Sequence, residues 1–286
     1  MCVVSSDFEF RKQMRKRRKK QKMRKNIFLS ILSLAVIVVL AFGINTITKI
    51  NRNKSEGEFI FNGYVYPQEQ EKNPDILVDA VNADGVKKAY LTFDDGPNNS
   101  VTTGVLDVLR RYNVKATFFL VGSLIEKYPD VARRIYEEGH CLANHSYNHN
   151  YDELYADNVS FMTQVQKTDD LIKKITCDNN YPKVFRFPGG GYKTGKFGEA
   201  KQNYKVKISE EGFRYCDWNS LTGDAEAASP SAEHIIERLK KTTGDKEDVV
   251  ILMHDAVAKT ITLKTLPTVL EYLISQGYSF DTLDNV

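Results

Sequence analysis

The chain has 286 residues, of which 42% are hydrophobic and 27% charged, and this balance excludes collagen-like, low-complexity and wholly disordered proteins. Its net charge of +3 is unevenly distributed, because eleven Lys/Arg and two acidic residues give residues 1–25 a charge of +9 and leave −6 for the other 261 residues. This split predicts a basic tail attached to a mildly acidic domain, and it disfavours a domain that binds nucleic acid through a basic face.

An uncharged segment, residues 27–44, directly follows the basic residues. Its eighteen residues are rich in Ile, Leu, Val, Ala and Phe, and a helix of this length can just cross a bilayer core. The positive-inside rule then predicts a cytoplasmic tail at residues 1–26, a single transmembrane anchor at 27–44 and everything later outside the cell. A cleaved signal peptide, which would give a secreted protein, is the alternative, but its apolar region is usually shorter.

Residues 45–84 are polar and irregular apart from an aromatic patch at 59–66, and they predict an extracellular stalk with one small hairpin. Three cysteines lie beyond the anchor: Cys141, Cys177 and Cys216. An odd number without paired spacing predicts apolar packing and neither a disulfide framework nor a zinc knuckle. For Cys216, which lies beside a polar motif, a thiol ligand or an oxidation-sensitive neighbour of the site is the alternative.

From residue 85 to 286, short apolar runs alternate with amphipathic segments, which is typical of repeated strand–helix units. The predicted strands are 88–93, 116–121, 140–144, 184–188, 213–218, 248–253 and 278–282. The predicted helices are 101–112, 123–138, 158–175, 232–241 and 263–276. Such a chain forms either a barrel or an open doubly wound sheet, and about 200 residues are few for eight units. The predicted fold class is therefore α/β, a distorted (β/α) barrel with about seven parallel strands, preceded by one transmembrane helix.

Polar residues stand where two of these strands end, the position at which parallel α/β proteins carry their chemistry. Asp94 and Asp95 follow the first strand and precede a Gly-Pro turn. His145 and His149 follow the third strand, and on a helical turn this spacing would place both rings on one face, able to hold a metal ion. One carboxylate and two imidazoles leave coordination positions open, as a catalytic metal site requires. A helix-capping turn and two surface histidines are the alternatives.

Three further strand ends carry unusual residues. Arg186 precedes a Pro-Gly-Gly-Gly loop whose N–H groups could receive an oxyanion, and a phosphate cradle or a plain tight turn is the alternative. Asp217 precedes Trp218, the only tryptophan, and His254 ends a fully apolar strand. Each of these alone would be read as a core or surface residue, but five such strand ends together predict a functional site.

These motifs resemble those of the polysaccharide deacetylases, the NodB-homology or carbohydrate esterase family 4 group. The resemblance covers about residues 86–286 and includes all five motifs of the family in order. The most specific are residues 92–97, which read Thr-Phe-Asp-Asp-Gly-Pro, and residues 145–149, which read His-Ser-Tyr-Asn-His. The family fold is a distorted (β/α) barrel with seven strands, in agreement with the strand pattern.

The resemblance implies that Asp94 is the general base and that Asp95, His145 and His149 hold a divalent metal. Zinc is the expected ion, with cobalt or manganese as alternatives. A free carboxylate is a better base than one that binds the metal, which supports this division of roles.

The resemblance also assigns the residues around the base. His254 would be the general acid that protonates the departing amine. Arg186 would orient the base, and Asp217 would keep His254 charged and aligned.

The remaining assignments concern the substrate. The metal and the N–H of Gly189 would hold the oxyanion, although many members have Pro-Pro-Tyr after the arginine where this chain has Phe-Pro-Gly. Trp218 and Leu252 would form the wall of the pocket for the acetyl methyl group.

The predicted function is that of a membrane-anchored, metal-dependent hydrolase that removes N-acetyl groups from an amino-sugar polymer. Peptidoglycan N-acetylglucosamine is the leading substrate, because an enzyme on a stalk of about forty residues meets wall glycan first. N-acetylmuramic acid, poly-N-acetylglucosamine and chitin fragments remain alternatives. An O-acetyl esterase is the rival enzyme, and a glycan-binding protein without activity is the rival of another class. The expected partners are cell-wall glycan and the membrane, with no nucleic acid and no obligate protein partner.

Overall fold

The computed structural model describes residues 59–61, 64–66, 87–227 and 229–285. The predicted tail at 1–26 and the predicted anchor at 27–44 lie outside the described residues, and within the described part no helix is long and apolar enough to span a membrane. Within the predicted stalk, β1 (Phe59–Phe61) pairs antiparallel with β2 (Tyr64–Tyr66), which confirms the predicted hairpin.

Residues 87–285 form a parallel sheet surrounded by helices. The strands are β3 (Lys87–Gly96), β4 (Thr117–Leu120), β5 (Cys141–Asn144), β6 (Val184–Phe185), β7 (Arg214–Tyr215), β8 (Ser220–Leu221), β9 (Asp248–His254) and β10 (Tyr278–Phe280). The helices are α1 (Val101–Tyr112), α2 (Gly122–Lys127), α3 (Pro129–Glu137), α4 (Tyr151–Leu154), α5 (Asn158–Thr176), α6 (Gly198–Glu210), α7 (Ala232–Thr243) and α8 (Thr260–Ser275), followed by a 3₁₀ turn at Leu283–Asn285.

Seven strands follow one another across the sheet in the order β7-β6-β5-β4-β3-β9-β8, and each neighbouring pair is parallel. β10 pairs with the first residues of β3. This half-barrel of seven parallel strands fits the predicted distorted (β/α) barrel.

The two edges of the sheet are brought together by the chain itself. Only residues 216–219 connect β7 at one edge to β8 at the other, and four residues can span little distance even when extended. The N–H of Cys216 donates to the Phe185 carbonyl of β6, and the N–H of Asn219 donates to the Val250 carbonyl of β9. This bridging segment therefore curls the sheet toward a barrel.

Three predicted elements differ from the structure, and the first is the strand 184–188, which is only the two-residue β6. The predicted helix 123–138 is two helices, because Pro129 begins α3 and the residue before a proline disfavours helical geometry. The predicted strand 213–218 is only the two-residue β7, and the chain then crosses to the opposite edge of the sheet.

Aromatic packing fixes α5 and α6 against the sheet. Phe161 of α5 stacks on Tyr204 of α6 with ring centroids 4.2 Å apart, and Phe185 and Phe187 pack beneath them. These four side chains are nearly or fully buried, and burial of each stabilises the fold by about 1.5–3 kcal/mol. Helix α6 is thereby held under the loop that follows β6.

Candidate active site

Asp94 and His254 lie side by side at the C-terminal ends of the central strands. β3 and β9 are parallel, and their register places Asp94 opposite His254. Asp94 is only 3% exposed. Burial raises the pKa of Asp94, and the positive charges of Arg186 and His254 offset this shift only in part. A buried carboxyl next to an imidazole is an arrangement suited to paired acid–base chemistry.

The ring of His254 is held by Asp224, a residue that the sequence analysis does not identify. Asp224 accepts hydrogen bonds from Nδ1 of His254 at 2.9 Å and from its backbone N–H at 2.7 Å. Burial by itself lowers the pKa of His254, but the hydrogen bond and charge of Asp224, together with the charges of Asp94 and Asp95, outweigh it and raise the pKa to about 9. The imidazole is therefore protonated at neutral pH, with Nε2–H as its free donor.

The predicted contact between Asp217 and His254 is wrong. Asp217 Oδ1 accepts a hydrogen bond from the N–H of Gly191 at 2.8 Å. The reason is topological, because Asp217 lies in the bridging segment whereas Asp224 follows β8, the strand that pairs with β9. A two-residue strand gives no alternating pattern, so the only sequence signal for Asp224 is an acidic residue after a Thr-Gly turn.

Arg186 connects the base to the bridging segment. Its guanidinium donates to Asp94 Oδ1 at 2.9 Å and to Thr92 Oγ1 at 2.7 Å on β3. It also donates to the carbonyls of Cys216 at 2.9 Å and Asp217 at 3.0 Å. Arg186 is fully buried, so these bonds hold Oδ1 of Asp94 in place, while Oδ2 is not bonded by Arg186 and lies 3.7 Å from Nε2 of His145.

Asp95, His145 and His149 come together beside this pair. One ligand atom of each lies within 4.8 Å of the others, and Asp95 Oδ1 is 3.7 Å from His145 Nε2 and 3.2 Å from His149 Nε2. The expected helical turn at 145–149 is wrong, because these residues form a loop in which Ser146 and His149 have φ of 66° and 56°. The loop, and not helical spacing, brings the two rings together.

The donor atoms fit a divalent metal. Ligands about 2.0–2.2 Å from a tetrahedral ion are separated by about 3.3 Å, close to the distances here. Asp95 Oδ1 is buried and has no hydrogen-bond partner among the described residues, as expected of an oxygen that faces a cation. Nδ1 of His145 bonds the Arg186 carbonyl at 2.9 Å, which leaves Nε2 as the ligand atom. Burial lowers the pKa of His145 to about 3, so its ring is neutral, as a ligand must be.

The glycine loop, residues 188–191, lies beside Tyr151 and near His149. Gly189 is exposed and has φ of 72°, a backbone conformation that other residues adopt with strain. A Cβ at this position would lie 3.0 Å from the hydroxyl of Tyr151, whose ring centroid is 5.3 Å from that of His149. The backbone of Gly189 therefore reaches the edge of the proposed metal site, as the predicted oxyanion role requires.

The other predicted residues lie around this centre. Leu252 is buried in β9 and, two residues before His254, shares its face of the strand. Trp218 is half-buried, and its ring packs edge-on against Tyr192 at 5.7 Å. Cys216 is partly buried in the bridging segment, where its Sγ contacts the Asp217 carbonyl at 3.2 Å and burial raises the pKa of the thiol. These positions agree with packing for Cys216.

Comparison with known proteins identifies relatives of this chain. Residues 82–206 match the polysaccharide deacetylase family. The chain is 33% identical over 204 residues to a peptidoglycan-N-acetylglucosamine deacetylase of Bacillus cereus, and the match covers 68% of each protein. It is 35% identical over 206 residues to the peptidoglycan-N-acetylglucosamine deacetylase PgdA of Listeria monocytogenes, a match that covers 70% of this chain and 39% of that protein.

A solved structure has the same fold. The catalytic domain of the peptidoglycan N-acetylglucosamine deacetylase from Eubacterium rectale superposes with a TM-score of 0.63 at 31% identity. The match covers 69% of this chain and 88% of that domain. The likeness therefore extends over nearly the whole of a catalytic domain.

Proposed function

Because this chain belongs to the polysaccharide deacetylase family, we propose that it is a membrane-anchored, metal-dependent deacetylase that acts on peptidoglycan N-acetylglucosamine. The observation that carries this proposal is the juxtaposition of a buried base and a protonated imidazole with a three-residue metal cluster. The names of the B. cereus and L. monocytogenes relatives support the choice of sugar.

The base in this mechanism is Asp94. Arg186 holds Oδ1, so Oδ2 accepts the proton from the attacking water as it adds to the acetyl carbonyl. Burial raises the pKa of Asp94, which makes its carboxylate a stronger base than that of an exposed aspartate.

The acid is His254. Its Nε2–H donates a proton to the amine nitrogen as the C–N bond breaks, while Asp224 stabilises the charged ring through Nδ1. An amine is a poor leaving group without a proton, and a pKa of about 9 keeps His254 protonated at neutral pH. This feature favours an amide substrate over an acetyl ester.

Two groups would stabilise the negative charge of the tetrahedral intermediate. Asp95, His145 and His149 would hold a divalent ion, which when bound lowers the pKa of a coordinated water and polarises the carbonyl. The N–H of Gly189 donates to the oxyanion. Leu252, on the same strand face as His254, bounds the space for the acetyl methyl group.

The anchor supports the choice of polymer. A basic tail and an apolar span at 27–44 would place residues 85–286 outside the cell, on a stalk beside the wall. Peptidoglycan is the amino-sugar polymer closest to such an enzyme.

Acetate release from purified peptidoglycan by residues 50–286 tests the proposal. We expect release with zinc, cobalt or manganese, and loss of release with a chelator. His145→Ala should lose both metal and activity, because it removes the buried ligand, whereas His234→Ala, at a partly exposed histidine outside the site, should keep both.

The outcomes separate the rival functions. Release from acetylated xylan but from no N-acetylated glycan would favour an O-acetyl esterase. Glycan binding that a chelator leaves unchanged, without acetate release from any polymer, would favour a binding protein.

A further inference from the structure

The structure contains a buried ammonium group beneath the glycine loop that the mechanism above does not use. Lys201 of α6 is only 7% exposed. Its Nζ donates to the carbonyl of Gly190 at 2.7 Å and to that of Pro188 at 3.2 Å. Among the described residues this Nζ forms no ion pair, so its charge is directed at the loop itself.

The carbonyl of Pro188 has a second donor. The hydroxyl of Tyr155, which is buried, donates to it at 2.8 Å. Lys201 Nζ also lies 4.8 Å from the centroid of the Tyr155 ring. Two side chains, one on α6 and one directly after α4, therefore hold the same peptide oxygen inside the protein.

Peptide geometry gives this anchoring a consequence on the outer side of the loop. In a planar trans peptide the C=O and the following N–H point in opposite directions. The Pro188 oxygen points inward to Lys201, so the N–H of Gly189 points outward, and Gly189 is the exposed residue of the loop. The next anchored peptide behaves in the same way, because the Gly190 oxygen bonds Lys201 while the N–H of Gly191 bonds Asp217 on the other side.

We propose that Lys201 is a positioning residue of the deacetylation reaction, which turns the Gly189 N–H toward the site and places a positive charge behind the developing oxyanion. The ammonium polarises the Pro188–Gly189 peptide, so its N–H becomes a stronger donor. Lys201 does not touch the substrate and acts only through this peptide. The inference rests on the proposed function and assigns a role to a residue outside the five motifs.

The electrostatics agree with this geometry. Burial lowers the pKa of Lys201, which means that its positive charge is unfavourable in the resting protein. An anion on the far side of the loop would offset that cost. The charge therefore stabilises the tetrahedral state more than the neutral acetamide, which is the difference that accelerates a reaction.

The test compares an anionic mimic with a neutral ligand. The anionic probe is N-methylphosphonyl-glucosamine, whose charged phosphonyl oxygen copies the oxyanion, and the neutral probe is a chitin tetramer. Both dissociation constants are measured by calorimetry on the metal-loaded protein, together with kcat, KM and metal content. The variants are Lys201→Met, which keeps side-chain length without the charge, and Lys207→Met, a matched control on another face of α6.

We expect Lys201→Met to weaken binding of the phosphonyl probe about tenfold to a hundredfold and to lower kcat by a similar factor. KM, metal content and binding of the neutral tetramer should stay unchanged, and Lys201→Arg should restore part of the loss. Lys207→Met should match the wild type. Equal binding of the anionic probe by wild type and Lys201→Met, or equal weakening of both probes, would overturn the inference.

Two further comparisons cover a Lys201→Met variant that does not fold and a wild type that releases no acetate. If Lys201→Met does not fold, Tyr155→Phe removes the other donor to Pro188 and should weaken the anionic probe in the same selective way. If the wild type releases no acetate from any glycan, the proposed function fails, but the selective loss of anion binding in Lys201→Met still decides the role of the loop.

Discussion

At the scale of single residues, environment assigns different roles to chemically similar groups. Asp94 and Asp95 are neighbours, yet Arg186 holds the first whereas the second faces two imidazoles. His145 and His254 are likewise opposed, since burial lowers the pKa of His145 to about 3 while Asp224 helps raise that of His254 to about 9. One ring is thus suited to bind a metal and the other to donate a proton.

Replacing the base should separate turnover from metal binding. We expect Asp94→Asn to lower kcat by about 10²–10⁴-fold, because an amide cannot accept the proton, and to keep its metal. Acetate release and metal analysis on the same preparation measure both properties. Asp170→Asn, which removes an exposed carboxylate on α5, is the matched control. Near-normal kcat in Asp94→Asn would refute the base assignment.

The pH profile should report the contact between Asp224 and His254. His254 must be protonated to act as an acid, so wild-type kcat/KM should fall as the pH rises through about 9. Asp224→Asn removes the carboxylate that raises this pKa, and we expect the alkaline limb to move about one to two units lower.

Asp217→Asn serves as the comparison for that profile. Asp217 bonds Gly191 and not His254, so the alkaline limb of this variant should stay at the wild-type position. A limb that moves in Asp217→Asn and not in Asp224→Asn would reverse the assignment.

At the scale of elements, the C-terminal ends of strands and the loops that follow them, more than helices, position the site. Asp95, Ser146 and His149 all have positive φ, which is uncommon for residues with side chains and is often found at functional sites. Arg186 connects three elements, because it follows β6 and bonds both β3 and the bridging segment. Replacing Arg186 should therefore lower both the stability of the fold and the catalytic activity.

We expect Arg186→Met to lower the free energy of unfolding by about 3–5 kcal/mol, because it leaves a buried carboxyl without its partner. Urea unfolding measures this change. Arg110→Met, at an ion pair whose arginine is 63% exposed, should change stability by only about 0–1 kcal/mol. A loss of less than about 1 kcal/mol in Arg186→Met would contradict the role of Arg186 in connecting Asp94 to the bridging segment.

At the scale of the whole molecule, the proposed function gives residues 87–285 the chemistry and the predicted anchor at 27–44 the location. The sheet, the proposed metal ligands and the acid–base pair all lie within residues 87–285. The basic tail and the apolar span precede them in the chain. Chemistry should therefore be independent of the anchor, whereas location should depend on it.

We expect the full chain to sediment with membranes and residues 50–286 to remain in the soluble fraction, with the same kcat/KM on a soluble glycan oligomer within about twofold. Protease treatment of intact cells should remove the domain and spare the tail. A soluble full-length chain whose new N-terminus lies after residue 44 would show instead that the apolar segment is a cleaved signal.

The α/β class of the fold and most of the proposed site residues can be predicted from the sequence, because both depend on local signals. Apolar runs alternating with amphipathic segments indicate strand–helix units, and Asp94, His145 and His254 stand where such strands end. The motifs are short and contiguous, so each can be read without knowing which strands are neighbours.

Contacts between residues that are distant in the sequence can be seen only in the folded structure. Asp224, and not Asp217, bonds His254 because β8 pairs with β9. A strand of two residues has no periodic signal from which that pairing could be predicted. The place of Lys201 depends equally on how α6 packs under the loop after β6. Such contacts join segments far apart in the chain, and only the folded sheet and its packed helices bring them within hydrogen-bond distance.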